Sequence, residues 1–332
     1  MVRLVTVRRH DLLIQRCRRG RGFSFVDAEG KVITDPEIKE RALKLGIPPA
    51  WQDVRLAVHP RAHIQCCGVD EAGRVQYIYH TEWEQRRTRR KQKQLALLTA
   101  ALPALRRRVN RDLEAETGSR ILAIAIGVAL IDRTGMRVGR ERYLESNGTR
   151  GAGTLYTRDV AVAGDRVVLR FPAKSGKRAE YELEDPRLAD AIARIKTLTG
   201  RRLLVYRDEA GKVRPIKTEM INAYLREVTG VPVTAKDFRT LHASALAAEA
   251  LASLEPAASE AARKRQIATV TRRVADFLRN TPAISRKSYI APCLFELFDR
   301  GKLQSLWAEA AGAPGGIKDR ERRLALLLAA VG

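Results

Sequence analysis

Cysteine is scarce in this 332-residue chain: Cys17, Cys66, Cys67 and Cys293, with no C-x-x-C pair among them. The adjacent Cys66-Cys67 is a poor spacing for a disulfide or a metal, so the four read as reduced thiols, some of them buried, in a cytosolic protein. The five histidines form no H-E-x-x-H and no zinc spacing. No G-x-S-x-G is present. "SGKR" carries the Gly-Lys of a phosphate-binding loop, but Phe171 stands where the first glycine belongs and Arg178 replaces the Ser/Thr. ATP use and metal catalysis have no support in these patterns, and no cofactor is expected. The opening "MVRLVTVRRHDLLIQRCRRG" lacks the apolar stretch of a signal peptide, and no apolar run approaches a membrane span. A cytoplasmic chain with no membrane partner is expected. Asn147-Gly148-Thr149 matches a glycosylation sequon, but without secretion it reads as a turn.

Acidic residues are also in short supply. Against 38 Asp+Glu stand 62 Lys+Arg, a formal net charge of +24, far more than solubility requires. Such an excess points to a polyanion, most commonly nucleic acid. With 45% hydrophobic residues the chain can bury a real core and fill two domains.

The first ~85 residues read as β-rich with short connections. "GFSFVDAEGKVIT" (22–34) alternates around a Glu29-Gly30 turn, as a hairpin would. Residues 54–83 read alike, turning at Glu71-Ala72-Gly73, with a short helix around 36–45 between them. The run "EQRRTRRKQKQ" (84–94) holds six Lys/Arg and one Glu. It reads either as a solvated helix face or as a basic hinge touching phosphates. Helical spacing follows from 95 to 130, broken by Pro103 and Gly118. A β-meander is expected at 154–184, its strands "TLYTRDVAV", "RVVLRF" and "RAEYELE" joined by Ala163-Gly164-Asp165 and "PAKSGK". Helices return from 186, including 241–252, 265–279 with Ile267, Val270, Val274 and Phe277 on one face, and a closing "DRERRLALLLAAV".

Four short motifs remain: "RVGRERY" (137–143), "FPAKSGK" (171–177), "KDFRT" (236–240) and "NTPAISRKSY" (280–289). With "GRVQYIY" upstream, and in this order and spacing, the chain resembles the type IB DNA topoisomerases of the poxvirus-like, bacterial branch. The resemblance implies roles. Tyr289 would be the nucleophile, Arg137 and Arg239 the two catalytic arginines, and Lys174 the general acid. Lys236 would be a nearby DNA contact, Tyr143 a phosphate contact, and Gln76, Tyr77 and Tyr79 groove contacts. Many members carry histidine nine residues before the tyrosine; here Asn280 stands there, and its amide N–H can donate where an imidazole would.

The chemistry suits these residue types. Attack on a phosphodiester builds charge on two nonbridging oxygens, which forked guanidinium donors match. The departing 5′ oxygen needs a proton, which a lysine can supply, and a tyrosine with a free pKa near ~10 needs cations around it. His242, close after Arg239, reads better as packing or a backbone hydrogen bond.

The resemblance therefore implies an α+β architecture: a β-rich N-terminal domain (1–88) and a larger, mainly helical catalytic domain (89–332) with a small antiparallel sheet and a tyrosine-recombinase-like fold. Together these would clamp duplex DNA as a monomer in the bacterial nucleoid, without an obligate protein partner. Tyr289 is expected on a helix beginning near Ala283 or Ser285. The implied activity is ATP- and metal-independent relaxation of supercoils through a 3′-phosphotyrosyl intermediate. A tyrosine recombinase or integrase shares the same catalytic logic, but usually carries H-x-x-R where this chain has Lys236-Asp237-Phe238-Arg239. A non-enzymatic DNA-binding protein would account for the charge alone.

Overall fold

A computed structural model describes residues 3–310 and 316–331. The chain divides into two compact units, Met1–Lys91 and Gln92–Gly332. The first holds β1 (Ile14–Arg19), β2 (Gly22–Val26), α1 (Pro36–Lys44), β3 (Gln52–Leu56), β4 (Ile64–Val69) and β5 (Val75–Tyr79). The strands form one antiparallel sheet in the order β2-β1-β3-β4-β5. One face buries Ile14, Phe25, Val54, Leu56 and Cys66 with Ala42 of α1. The other buries Ile64 and Cys67 with Leu12, Ala57 and Ala62. Neighbouring cysteines on one strand are therefore both buried, because both faces of β4 are covered. Burial pushes the Cys66 thiol up to about 12, and all four cysteines are free.

The β4–β5 hairpin turns at Glu71-Ala72-Gly73 as the sequence suggests. The hairpin expected at 22–34 is different. β2 pairs along its length with β1, whereas the return past Gly30 makes only the bridge Val26↔Val32. β1, "IQRCRR", has no apolar alternation because only Ile14 of it is buried.

Helix α2 (Thr81–Asp112) contains the whole basic run, so 84–94 is helix rather than a break in the chain. Nor does Pro103 end it. The helix loses one backbone bond there, but Leu95, Leu98, Leu102, Leu105 and Val109 bury along one side and hold it. The break falls after Asp112, and Ser119 caps the next helix by accepting from the Leu122 N–H.

The second unit is built around α3 (Arg120–Thr134), apolar and buried nearly all round. After α4 (Glu141–Asn147) comes the three-stranded antiparallel sheet β6 (Val160–Ala163), β7 (Arg166–Pro172) and β8 (Arg178–Glu184). The first strand starts later than expected. Residues 152–159 instead form two 3-10 turns, in which Asp159 accepts from the Tyr156 N–H and pairs with Arg150. Then follow α5 (Pro186–Ile195), a hairpin of β9 (Val205–Arg207) and β10 (Val213–Pro215), α6 (Thr218–Thr229), α7 (Ala235–Ala252) and α8 (Glu260–Leu278). The chain closes with α9 (Pro282–Ser288), α10 (Cys293–Asp299), α11 (Leu303–Glu309) and α12 (Gly316–Val331). One continuous core runs from α2 to α12. In α8 the buried face is Ile267, Val270, Val274 and Leu278; Phe277, expected there, is exposed. No helix among the described residues is long and apolar enough to cross a membrane.

Candidate active site

Tyr289 is not inside a helix. Thr281 caps α9 by accepting from the Ile284 N–H, and Pro282 opens the first turn. The helix ends at Ser288, and Tyr289 is its C-cap with φ −127° and ψ −27°. Leaving the helical path, Tyr289 turns back toward α7. There Ser244, fully buried, takes the Ala291 N–H at 3.0 Å and donates to the Tyr289 carbonyl oxygen at 3.2 Å. The backbone around the tyrosine is thus held from both sides by one hydroxyl.

Nearer its start, α7 presents Lys236 and Arg239, eight and five residues before Ser244. The Arg239 guanidinium lies 5.0 Å from the centre of the Tyr289 ring and the Lys236 ammonium 5.9 Å. Arg239 is buried, donating to the Gly135 carbonyl at the end of α3 (2.7 Å) and to the Leu278 carbonyl at the end of α8 (2.9 Å). Burial raises the Tyr289 pKa, but Arg239, Lys236 and Arg137 together outweigh it and leave the phenol below its ordinary value. Asp237 lies between the two cations in sequence, but its carboxylate is engaged in holding the helix start. It accepts from the Thr234 N–H and hydroxyl and from Gln94.

Arg137 arrives from the segment after α3 and donates to the Asn280 side-chain oxygen at 2.5 Å. Burial and the charge of Arg239 lower its pKa, yet a guanidinium remains protonated. The segment is fixed by backbone contact with residues 151–153. Ala152 N–H donates to the Arg137 carbonyl (2.9 Å) and Gly153 N–H to that of Val138 (2.7 Å). A Cβ on Gly151 would lie 2.3 Å from the Arg137 carbonyl oxygen, so only glycine permits this approach. Two donors in the cluster, Arg239 Nε and Asn280 Nδ2, are buried without a protein partner.

Lys174 lies on the turn between β7 and β8, exposed, and makes no hydrogen bond or ion pair among the described residues. Its hairpin is tied to the Asn280 turn through Arg279, which donates to the Glu180 carbonyl at 2.5 Å and stacks over Tyr181 at 4.2 Å.

Residues 80–292 match the model of the catalytic core of eukaryotic DNA topoisomerase I, and residues 22–70 that of the N-terminal domain of bacterial DNA topoisomerase IB. The chain is also 32% identical over 266 residues to a DNA topoisomerase 1B of Acanthamoeba polyphaga mimivirus, covering 78% of this chain and 79% of the viral one. The chain belongs to the type IB DNA topoisomerases. Its mixed helix-and-sheet architecture and its DNA-directed activity follow from that membership.

Tyr143 is exposed on α4, its ring under the Arg142 guanidinium at 4.6 Å. Gln76, Tyr77 and Tyr79 belong to β5 in the first unit. There Tyr77 and Tyr79 stack at 6.0 Å, and Asp70 holds the Gln76 amide at 2.8 Å. His242 is buried and its Nε2 bonds the Asp132 carbonyl.

Asp132, His242 and Glu321 bring ligand-type atoms within 4.8 Å of one another. Arg106 already serves this cluster, donating to Asp132 at 2.8 Å and to Glu321 at 2.7 Å. The guanidinium supplies the positive charge a cation would, so the group reads as a buried ion-pair network.

Sequence reasoning overlooked Gly139, Gly151, Ser244 and Arg279. "GAGT" concentrates small residues, which marks a tight approach, but neither it nor the lone glycine of "RVGR" says which backbones meet. Ser244 in an alanine-rich buried helix was a further hint, a lone hydroxyl that must find partners.

Proposed function

We propose that the enzyme relaxes supercoiled duplex DNA with Tyr289 as nucleophile. The phenolic oxygen attacks the phosphorus, the bond to the 5′ oxygen breaks, and the strand is held as a 3′-phosphotyrosyl ester. The phenol releases its proton to water, and the departing 5′ oxygen takes one from the Lys174 ammonium. Arg137, Arg239 and Asn280 donate to the nonbridging oxygens, where charge grows in the transition state. The aryl ester keeps the energy of the broken bond. After the free end has rotated, its 5′ hydroxyl attacks the ester and restores the strand, so neither ATP nor a metal ion takes part.

The observation that carries this reading is the surrounding of Tyr289. Three cations lower its pKa, and two buried donors beside it, Arg239 Nε and Asn280 Nδ2, have no protein acceptor. A phosphate placed against the hydroxyl gives those donors their acceptors. Lys236 and Tyr143 on the second unit, and Gln76, Tyr77 and Tyr79 on the first, contact the duplex in this reading. The functional division falls at residues 88 and 89, and the enzyme acts as a monomer at the nucleoid.

Plasmid relaxation in EDTA without ATP tests it, comparing the native chain with Tyr289→Phe. The native chain removes supercoils of both signs and the variant removes none. No relaxation by the native chain rejects the mechanism, and an active variant rejects Tyr289 as the nucleophile.

A further inference from the structure

The residue between α8 and Asn280 is unusual in its backbone. Arg279 has φ 52° and ψ 48°, the left-handed region, where a side chain costs on the order of 1 kcal/mol. Among the described residues only Asp53 otherwise does this without being glycine. At the equivalent position after α3, α4 and α6 the chain uses Gly135, Gly148 and Gly230. Glycine is what a helix end of this kind ordinarily selects. An arginine kept there must gain something through its side chain.

That side chain leaves its own helix and reaches β8. It donates to the Glu180 carbonyl and lays its guanidinium over Tyr181, whose ring in turn stacks with Phe171 of β7 at 6.2 Å. Both strands of the hairpin carrying Lys174 are engaged in this way. Near the tip the Arg150 N–H also donates to the Pro172 carbonyl (2.9 Å), and the Ala173 N–H closes the turn on the Lys177 carbonyl (2.7 Å). On the opposite side of Arg279, the next residue is Asn280, which holds Arg137.

We propose that Arg279 is a positioning residue for Lys174: it fastens the β7–β8 hairpin to the α8–α9 turn, so that the lysine meets the departing 5′ oxygen of the phosphate held at Tyr289. This rests on Lys174 being the general acid. The Arg279 guanidinium is committed to the Glu180 carbonyl and the Tyr181 ring, so in this proposal its effect travels through the hairpin. It therefore governs one part of the reaction, protonation of the leaving group, and leaves attack by the tyrosine alone.

The test changes the leaving group. A duplex carrying sulfur in place of the bridging 5′ oxygen expels a thiolate, which departs without a proton. Single-turnover cleavage of this substrate and of the ordinary one is measured for the native chain, Arg279→Gly, Lys174→Ala and the double variant. Glycine at 279 suits the left-handed backbone, so the fold is retained while the guanidinium is removed. Arg279→Gly is expected to cleave the ordinary substrate about 10- to 100-fold more slowly, the range a misplaced catalytic group produces. On the sulfur substrate it stays within about 3-fold of the native chain, and the double variant is no slower than Lys174→Ala. If Arg279→Gly is equally slow on both substrates while Lys174→Ala is slow only on oxygen, Arg279 acts on the phosphate directly and the inference fails alone. A native rate for Arg279→Gly, or an additive double variant, also overturns it. If Lys174→Ala is slow on both, the general-acid assignment falls and the inference falls with it.

Discussion

Replacing Gly151 by alanine should damage cleavage without touching any side chain that faces DNA. The backbone of Gly151 is extended, with φ −159°, so alanine is allowed there and the penalty is purely one of space. The new Cβ would lie 2.3 Å from the Arg137 carbonyl oxygen, 2.5 Å from the Gly139 nitrogen and 2.9 Å from the Gly139 Cα. Carbon and carbonyl oxygen ordinarily approach no closer than about 3.3 Å, so the two backbones must part by roughly 1 Å. Gly139 is crowded from the same side, a Cβ built on it lying 2.3 Å from Thr154 Oγ1 and 3.0 Å from the Gly151 nitrogen, so the 137–139 segment gives way as a whole. The shift falls on Arg137. If Arg137 stabilises the transition state as proposed, a displacement of about 1 Å costs roughly 10²-fold in rate. Overpacking of this kind lowers stability by about 1–3 kcal/mol. The assay is single-turnover cleavage, with DNA affinity at fixed salt and a thermal melt on the same samples. Cleavage should fall about 100-fold while affinity changes little, since a net charge of +24 leaves many cations besides Arg137 to hold phosphates. Gly164→Ala is the control: φ is +55° with nothing within 4 Å of its Cβ, so it carries strain without contact and should cleave normally. If Gly151→Ala melts early but cleaves within about 3-fold of the native rate, Arg137 is not held in place by this contact and the reasoning fails.

Other substitutions probe separate parts of the site. Ser244→Ala leaves the Ala291 N–H and the Tyr289 carbonyl without their shared hydroxyl. It should destabilise by about 1–3 kcal/mol and slow cleavage and religation together by roughly 10-fold, because in the proposed mechanism both use the Tyr289 oxygen. Unequal slowing would show that Ser244 does not set the tyrosine's position. Asn280→His replaces an uncharged donor by one that titrates near pH ~6.5. The native cleavage rate should be flatter than the variant's between about pH 6 and 7, and a steep native profile abolished by removing one of the five histidines would refute the amide's role. Glu321 offers a test of stability. Burial raises its pKa from 4.5 to about 7 against the opposing pull of Arg106 and Arg320, with Asp132 and His242 also facing it. The folded state therefore favours the protonated acid. Stability relative to Glu321→Gln is greatest below pH 4.5 and declines as pH rises through about 7. The total is on the order of 3 kcal/mol, readable as a pH-dependent gap between the two melting curves. A constant gap would mean that Glu321 titrates normally.

Much of the fold can be read from the sequence wherever one residue's environment repeats at a regular period. The helix around 36–45, the closing helix and the β4–β5 hairpin with its Glu71-Ala72-Gly73 turn are of this kind. Reading fails where tertiary burial decides. β1 contributes one buried side chain and looks like a basic loop. The short β9–β10 hairpin has too few residues to establish a period. Pro103 predicts an end to α2, but a buried row of leucines carries the helix past it. At the site, the residue types of the four motifs were readable, and the structure brings Arg137, Lys236, Arg239, Asn280 and Tyr289 together. Not readable was the end of α9 one residue before Tyr289, which depends on Ser244, 45 positions away in the chain. The glycine contact behind Arg137 is likewise a meeting of two segments, and no local pattern states which backbones will meet.

The hydrogen bonds within the cluster also bear on the proposed phosphate site. Arg239 directs two of its donors to carbonyls at the ends of α3 and α8, and its Nε has no protein partner. Asn280 accepts from Arg137 through its oxygen, and its Nδ2 has no protein partner either. In each case one part of the side chain fixes the direction of the other. A buried donor left unpaired costs about 1–3 kcal/mol. Two of them beside a phenol whose pKa is lowered by three cations form a site suited to an anion with several acceptor oxygens. A neutral ligand would relieve the donors but not the repulsion among the cations. A phosphodiester relieves both, and relieves them more fully as charge builds on its nonbridging oxygens. In the proposed mechanism, arrangement and charge would therefore favour the transition state over the bound strand, as a rate enhancement requires.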